Sequence, residues 1–427
     1  MQYGEFLQHI YQKYSGNVKL ELDRMIEILN AMHQPQASYP GFHIAGTNGK
    51  GSVCASLEAL CRAQGYKTGL NTSPHLIDYT ERFRIDGKDT DFETILGIYT
   101  DFEELFDRCD ASFFEITTAI AFELFRRAQI DIGIIEVGLG GRLDATNLFT
   151  PDITAITSIG LDHVKTLGPT LELIAAEKAG IIKSGIPLLT GNIDPSPLAV
   201  ISEVASQRNA PHYRLGKDFG YANIVNSTDG IRFDYYFGDI QFGGLHSNLI
   251  GVHQANNLSI ALTAFILYRQ KQGLPIAEEI IRNALANIHW AGRMQLLGKD
   301  PYIYVDGAHN LQGINALATN IAVNFPSQKV RMVVSILADK DYVHMLQRLA
   351  EVADVFYIAQ NESDRAATVE QQSSILATTG KPYFTAESVV SAYQMALKDS
   401  LPEDVIICGG SLYTVGEILC YHRNGGR

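Results

Sequence analysis

Ten residues, His43 to Ser52, read HIAGTNGKGS. The apolar run Phe42-His43-Ile44-Ala45 fits a buried strand, and the pattern from Val53 to Gln64 fits an amphipathic helix. Between them lie Gly46, Thr47, Asn48, Gly49, Lys50, Gly51 and Ser52. Strand, glycine-rich turn, lysine, hydroxyl and helix make a phosphate cradle. Backbone N–H groups and the helix N-terminus hold phosphate oxygens, the lysine adds a positive charge, and the hydroxyl binds magnesium. The usual spacing, G-x-x-x-x-G-K-[ST], would put Gly at 44 and a hydroxyl at 51. This chain has Ile44 and Gly51, with the hydroxyl displaced to Ser52. A plain glycine turn is the bland alternative, and it leaves Lys50 unexplained.

Three further groups stand at or just after apolar runs that read as parallel strands, the edge where open α/β sheets bind ligands. Glu136 closes the run Ile132–Val137, His163 follows the run Ile153–Ile159, and Lys178 lies on the helix that returns from it. A carboxylate, an imidazole and the Ser52 hydroxyl near phosphates suit Mg²⁺, which takes a few protein ligands and borrows the rest from phosphate and water. Asp162 is a competing ligand or a turn cap. An ordinary ion pair of Lys178 with Glu177 or Glu172 is the bland reading of that lysine. As isolated residues, Asp306 and His309 read as turn formers, and Asn257 as a packing or capping residue.

The elements that must position these groups alternate. Tyr3, Phe6, Leu7, Ile10, Tyr11 and Tyr14 fall at helical spacing with Gly16 as a stop; Leu22, Met25, Ile26 and Leu29 mark a second helix. Lys67–Asn71 reads as a strand, and 72–88 as a loop with a hairpin, a candidate substrate lid that carries Glu81, Arg82 and Arg84. Helices follow at 116–127, 171–182, 253–270 and 276–288. Residues 220–245 alternate and turn at Gly238-Asp239, which predicts an antiparallel hairpin appended to the sheet. After 289–301 the alternation restarts: strands at 302–305, 330–336, 354–359, 383–385 and 404–408, with helices between. The fold class is α/β. Its N-terminal domain (1–290) has a mostly parallel sheet plus a small antiparallel hairpin; a linker (291–301) leads to a smaller α/β domain (302–427).

Composition sets limits. A length of 427 residues suits two domains, and a formal net charge of −13 argues against nucleic-acid or anionic-membrane partners. An anionic ligand must therefore be met by a local cluster of cations. The five cysteines contain no C-x-x-C pair, which fits free thiols in a reducing compartment. With no apolar run long enough to span a bilayer and no secretory signal, the expectation is a cytoplasmic protein.

Taken together, these residues resemble the folylpolyglutamate synthase family within the ATP-dependent Mur ligases. The matching strings are GTNGKGS (46–52), TSPHL (72–76), FFEITTA (113–119), EVGLGGRLDATN (136–147), GLDHVKTLG (160–168), AEKAGIIK (176–183), HQANN (253–257), GR (292–293) and DGAHN (306–310), in the family's order. LADKD (337–341) and GGSLY (409–413) are weaker echoes. The family often has Pro before the Gly-Arg pair; here it is Ala291.

The resemblance implies a P-loop ATPase domain followed by a Rossmann-like ligase domain, and it implies roles. Thr47, Asn48, Gly49, Lys50, Gly51 and Ser52 hold ATP, joined by Asn257, Arg293 and Asp306. Ser52 and Glu136 bind a first Mg²⁺, and His163 binds a second. Lys178 matches a lysine that family members carry as a carbamate able to support that second ion; K⁺ is left open as a further ion. His309 lies at the phosphate and glutamate end. Ser73, Pro74, His75 and Arg82 belong to the folate loop. The implied reaction adds L-glutamate to a reduced folate (tetrahydrofolate synthase), and also to dihydropteroate (dihydrofolate synthase), through an acyl phosphate, in a monomer whose two domains close over ATP. The competing readings are a Mur-type ligase acting on another carboxylate, which would need a substrate domain before Gly46, and a P-loop kinase or nucleotide-sensing module.

Overall fold

The computed structural model describes residues 2–13 and 21–426. Tyr14 and Gly16, the expected end of the first helix, lie outside the described residues. By their internal contacts, residues 1–222, 234–245 and 256–288 form one compact unit, and residues 223–233, 246–255 and 289–427 a second.

Short runs, wholly buried in the central strands, build the first unit's main sheet. Its strands are β1 (Gly41–Ala45), β2 (Thr68–Asn71), β3 (Phe83–Ile85), β4 (Lys88–Asp89), β5 (Ile132–Glu136), β6 (Ile153–Ile156), β7 (Leu188–Thr190) and β8 (His212–Arg214). The order is β4-β3-β2-β5-β1-β6-β7-β8. β1 sits centrally, parallel to β5 on one side and β6 on the other, with Ile44 opposite both Glu136 and Ala155. Among the described residues, the pairs β2–β3 and β3–β4 are antiparallel and the other pairs of this sheet parallel. The chain therefore leaves β1, β5 and β6 at one common edge, the loops of which carry Lys50, Glu136 and His163. Beneath this edge lies an aromatic-rich core that includes Phe6, Ile28, Tyr79, Phe106, Phe122 and Phe149. A second cluster, from Ile156 through Ile174 and Ile182 to Ile201, packs the helix bearing Lys178.

Several expectations need correction. The phosphate-loop helix spans Lys50–Ala63, so it starts three residues earlier than periodicity indicated; Gly51 and Ser52 carry no apolar signal, yet they form its first turn. The helix at 171 ends at Ala179. The alternating stretch near 220–245 is not appended to the main sheet. It forms its own three-stranded sheet of β9 (Phe219–Ser227), β10 (Gly230–Phe237) and β11 (Ile240–Ser247), in the order β11-β10-β9. β9 escaped notice because most of its side chains are exposed or half-buried. Helices Phe92–Arg108 and Pro195–Gln207 were also unforeseen. The first is capped by Asp91, whose side chain accepts from Thr94 N–H at 2.8 Å, but Gly97 interrupts its pattern.

The second unit contains the sheet β12 (Gln295–Gly298), β13 (Tyr302–Asp306), β14 (Val330–Val334), β15 (Val355–Ile358), β16 (Tyr383–Thr385) and β17 (Val405–Gly409), ordered β12-β13-β17-β14-β15-β16. All pairs are parallel except β12 with β13. Residues 291–301 thus carry an edge strand, too exposed to show a buried apolar run. Its core includes Tyr304, Ile314, Leu317, Met332, Phe356 and Ile407. Asp306 and Gly409 pair at the ends of β13 and β17, so the loops DGAHN and GGSLY leave the sheet side by side.

Candidate active site

The loop after β1 turns into its helix at Gly49, which has φ +88°. This left-handed conformation is cheap only for glycine. A Cβ there would also lie 2.4 Å from Asn257 Oδ1, which brings Asn257 directly onto the loop. The amides of Lys50, Gly51 and Ser52, in the first turn, have no intrahelical acceptor and present an anion site. Lys50 folds back over the loop: its Nζ donates to Gly46 O at 3.2 Å and Thr47 O at 3.4 Å, and lies 3.9 Å from Glu136 Oε1.

Glu136, the last residue of β5, is buried, and its Oε2 accepts from Ser73 N–H at 3.2 Å. That bond draws the TSPHL loop to the phosphate edge. Ser52 is buried too. A carboxylate and a hydroxyl are hard oxygen donors of the kind Mg²⁺ prefers. Among the described residues no group of three His, Cys, Asp or Glu side chains could hold a metal ion. The set therefore fits an ion that completes its shell with phosphate oxygens and water, and does not fit a protein-only cage. His163 stands half-exposed after β6, at φ 50°; Asp162 Oδ1 accepts its backbone N–H at 2.8 Å and lies 3.9 Å from its Nε2.

Lys178 is buried, and its Nζ donates to Gly46 O at 2.9 Å, on the same carbonyl as Lys50. The ion pair weighed for it does not form with either glutamate: Glu177 accepts from Arg142 at 2.8 Å, and Glu172 from the Ser196 hydroxyl. Burial, followed by the charge of Lys50, lowers the Lys178 pKa to about 7, against the opposing pull of Asp162 and Asp144. Its amine is therefore neutral in a large fraction of molecules near neutral pH.

In the candidate folate loop, Arg82 is buried and its Nε donates to His75 Nδ1 at 2.8 Å. Its guanidinium lies 5.3 Å from the Phe113 ring centroid and 6.0 Å from that of Tyr79. Burial, then Arg82, lowers the His75 pKa to about 3, so the imidazole is a neutral acceptor here. Pro74 is exposed, and the Ser73–Pro74 peptide is cis.

In the second unit, Asp306 accepts Met294 N–H and Ala308 N–H, both at 2.9 Å, which ties the GR segment to the DGAHN loop. Arg293 Nη1 donates to Gly292 O at 3.1 Å, and His309 Nδ1 lies 2.9 Å from Gly307 O. His253 was singled out only as part of a string, yet Asp306 and Arg293 are its charged neighbours, and burial lowers its pKa. Two hydroxyls at the end of β6, Thr157 and Ser158, also went unmarked. Both contact the phosphate loop, and the only signal was their place just before GLDH.

Two family models match the chain: the Mur ligase middle domain over residues 44–265, and the Mur ligase glutamate ligase domain over 292–412. A dihydrofolate synthase/folylpolyglutamate synthase of Bacillus subtilis is 32% identical over 423 residues, covering 97% of this chain and 98% of the relative. The structure of E. coli FolC in complex with DHPP and ADP superposes with a TM-score of 0.91 at 31% identity, covering 100% of this chain and 99% of that one. A bifunctional folylpolyglutamate synthase/dihydrofolate synthase with Mn, AMPPNP and L-glutamate bound gives 0.88 at 33% identity, covering 99% and 98%. The chain belongs to the folylpolyglutamate synthase/dihydrofolate synthase family of the Mur ligases.

Proposed function

We propose that this chain is an ATP-dependent ligase that joins L-glutamate to the terminal carboxylate of a reduced folate and to dihydropteroate. The observation that carries this reading is the convergence of Lys50, Glu136 and Lys178 on one glycine-rich loop, with the TSPHL loop bonded to the same Glu136.

A carboxylate resists acylation because its charge repels an amine and oxide is a poor leaving group. Transfer of the γ-phosphoryl group to the acceptor carboxylate releases ADP and leaves an acyl phosphate. Lys50 and the first-turn amides stabilise the charge that spreads over the phosphoryl oxygens. The glutamate amine then attacks the acyl carbon, loses a proton, and phosphate departs. Ser52 and Glu136 would hold one Mg²⁺, and His163 with Lys178 a second; bound there, the ions neutralise phosphate charge. Lys178 would serve as a carbamate, which needs a neutral amine to add CO₂, and its lowered pKa supports that chemistry. Labelling with ¹³CO₂ should give a carbamate resonance in the wild type that is absent from Lys178→Arg.

Asn257, Arg293 and Asp306 are assigned to the nucleotide, His309 to the phosphate and glutamate end, and Ser73, Pro74, His75 and Arg82 to the acceptor. Four of the five free cysteines are buried and the fifth is half-buried, which supports a reducing, cytoplasmic setting. Phosphate release should require ATP, acceptor and L-glutamate together. Release without acceptor would instead mark a nucleotide hydrolase or sensor. Offering dihydropteroate and tetrahydrofolate separately decides whether both activities are present.

A further inference from the structure

The segment just after β6 grips the phosphate loop through six hydroxyl and backbone contacts. Ser158 Oγ accepts Asn48 N–H at 2.9 Å and donates to Asn48 O at 3.0 Å, so one side chain holds both polar atoms of that residue's backbone. Thr157 Oγ1 donates to the same carbonyl at 2.6 Å. Ser158 O accepts Thr47 N–H at 2.9 Å. Thr47 Oγ1 in turn accepts Gly160 N–H at 3.0 Å and lies 3.2 Å from Gly160 O. The approach is possible because residue 46 has no side chain: a Cβ there would lie 1.9 Å from Thr157 Oγ1.

The amides of residues 47 and 48 are thus turned toward this segment, and the anion site falls to the amides that follow them. A glycine-rich loop left free would have to surrender its backbone freedom when nucleotide binds. The same segment runs on, five residues past Ser158, to His163.

We propose that Ser158 is a positioning residue: its hydroxyl fixes the phosphate loop in its binding conformation before nucleotide arrives, and so sets nucleotide affinity. The proposal rests on the reading of residues 46–52 as the phosphate loop.

The test is calorimetric titration of magnesium AMPPNP, and separately of dihydropteroate, into the full-length wild type, Ser158→Ala, Ser158→Thr and Lys50→Ala. Ser158→Ala should weaken nucleotide binding by about 5- to 30-fold, the loss of one or two loop hydrogen bonds, and leave acceptor affinity unchanged. Ser158→Thr, which keeps the hydroxyl, should bind nucleotide like the wild type. Unchanged nucleotide affinity in Ser158→Ala, with Lys50→Ala impaired, overturns the positioning role and leaves the phosphate loop standing. Unchanged affinity in Lys50→Ala overturns both. Equal loss for nucleotide and acceptor in Ser158→Ala would reduce Ser158 to a structural residue and also overturn the proposal. Hydrogen exchange on the wild type gives an independent reading, free of any folding defect in a variant: the Asn48 amide should be protected without nucleotide, and fast exchange there contradicts the clasp.

Discussion

Lys178 has two faces, one electrostatic and one chemical. An unfolded chain holds its amine at the ordinary lysine value, whereas the folded site lowers it to about 7. Between these two values the unfolded state binds more protons, so folding stability should rise with pH from about 7 upward. Below about 7 the full penalty of a buried, protonated amine applies. Denaturant titrations at pH 6.5 and 9 should show this gain in the wild type and a flatter profile in Lys178→Met; equal profiles would mean that Lys178 does not titrate as described. Lys50 stands half-buried beside Glu136 and two backbone carbonyls, over the phosphate loop. Lys50→Ala should lower kcat/KM by about 100- to 1000-fold, the usual loss when one preorganised charge-stabilising donor goes, with little change in melting temperature.

At the scale of elements, the helix Leu171–Ala179 exists to deliver Lys178, and Thr170 starts it by accepting Leu173 N–H at 3.3 Å. Thr170→Ala should cost about 1 kcal/mol of stability and reduce activity through the displaced lysine, as read by calorimetry and by turnover. Gly49 makes a sharper case. Alanine there combines a left-handed backbone with the clash against Asn257, so Gly49→Ala should weaken ATP binding more than it lowers the melting temperature. These elements were unevenly legible in the sequence. Buried strands such as β1, β5 and β6 announced themselves as short apolar runs, because a parallel strand covered on both faces has no polar side to show. The phosphate loop was legible because its function demands glycine, lysine and a hydroxyl in sequence. β9 and β12 were not, because edge and half-exposed strands bury too little to leave a pattern. The Ser158 clasp was invisible for another reason: its two partners are 110 positions apart, and only the parallel pairing of β1 with β6 brings them together.

For the whole molecule, a net charge of −13 and a polyanionic substrate have to be reconciled. The first unit does so locally, with Lys50 folded over the loop and a helix N-terminus beside it, so binding depends on the site and not on the overall field. Ligand linkage follows: magnesium ATP at about 100 times its Kd should add about 2.7 kcal/mol to the stability of whatever unfolds with the site. Differential scanning should show that upward shift in the wild type and its loss in Lys50→Ala. A shift that survives in Lys50→Ala would place the nucleotide elsewhere.

The most direct measurement is incorporation of labelled L-glutamate into tetrahydrofolate or dihydropteroate, with ADP and phosphate followed in the same reaction for the wild type and Lys50→Ala. The account predicts one glutamate joined for each ATP consumed, no ATP consumption without acceptor, and product formation nearly abolished in Lys50→Ala. Undiminished glutamate incorporation in that variant, or ATP turnover indifferent to the acceptor, would contradict it.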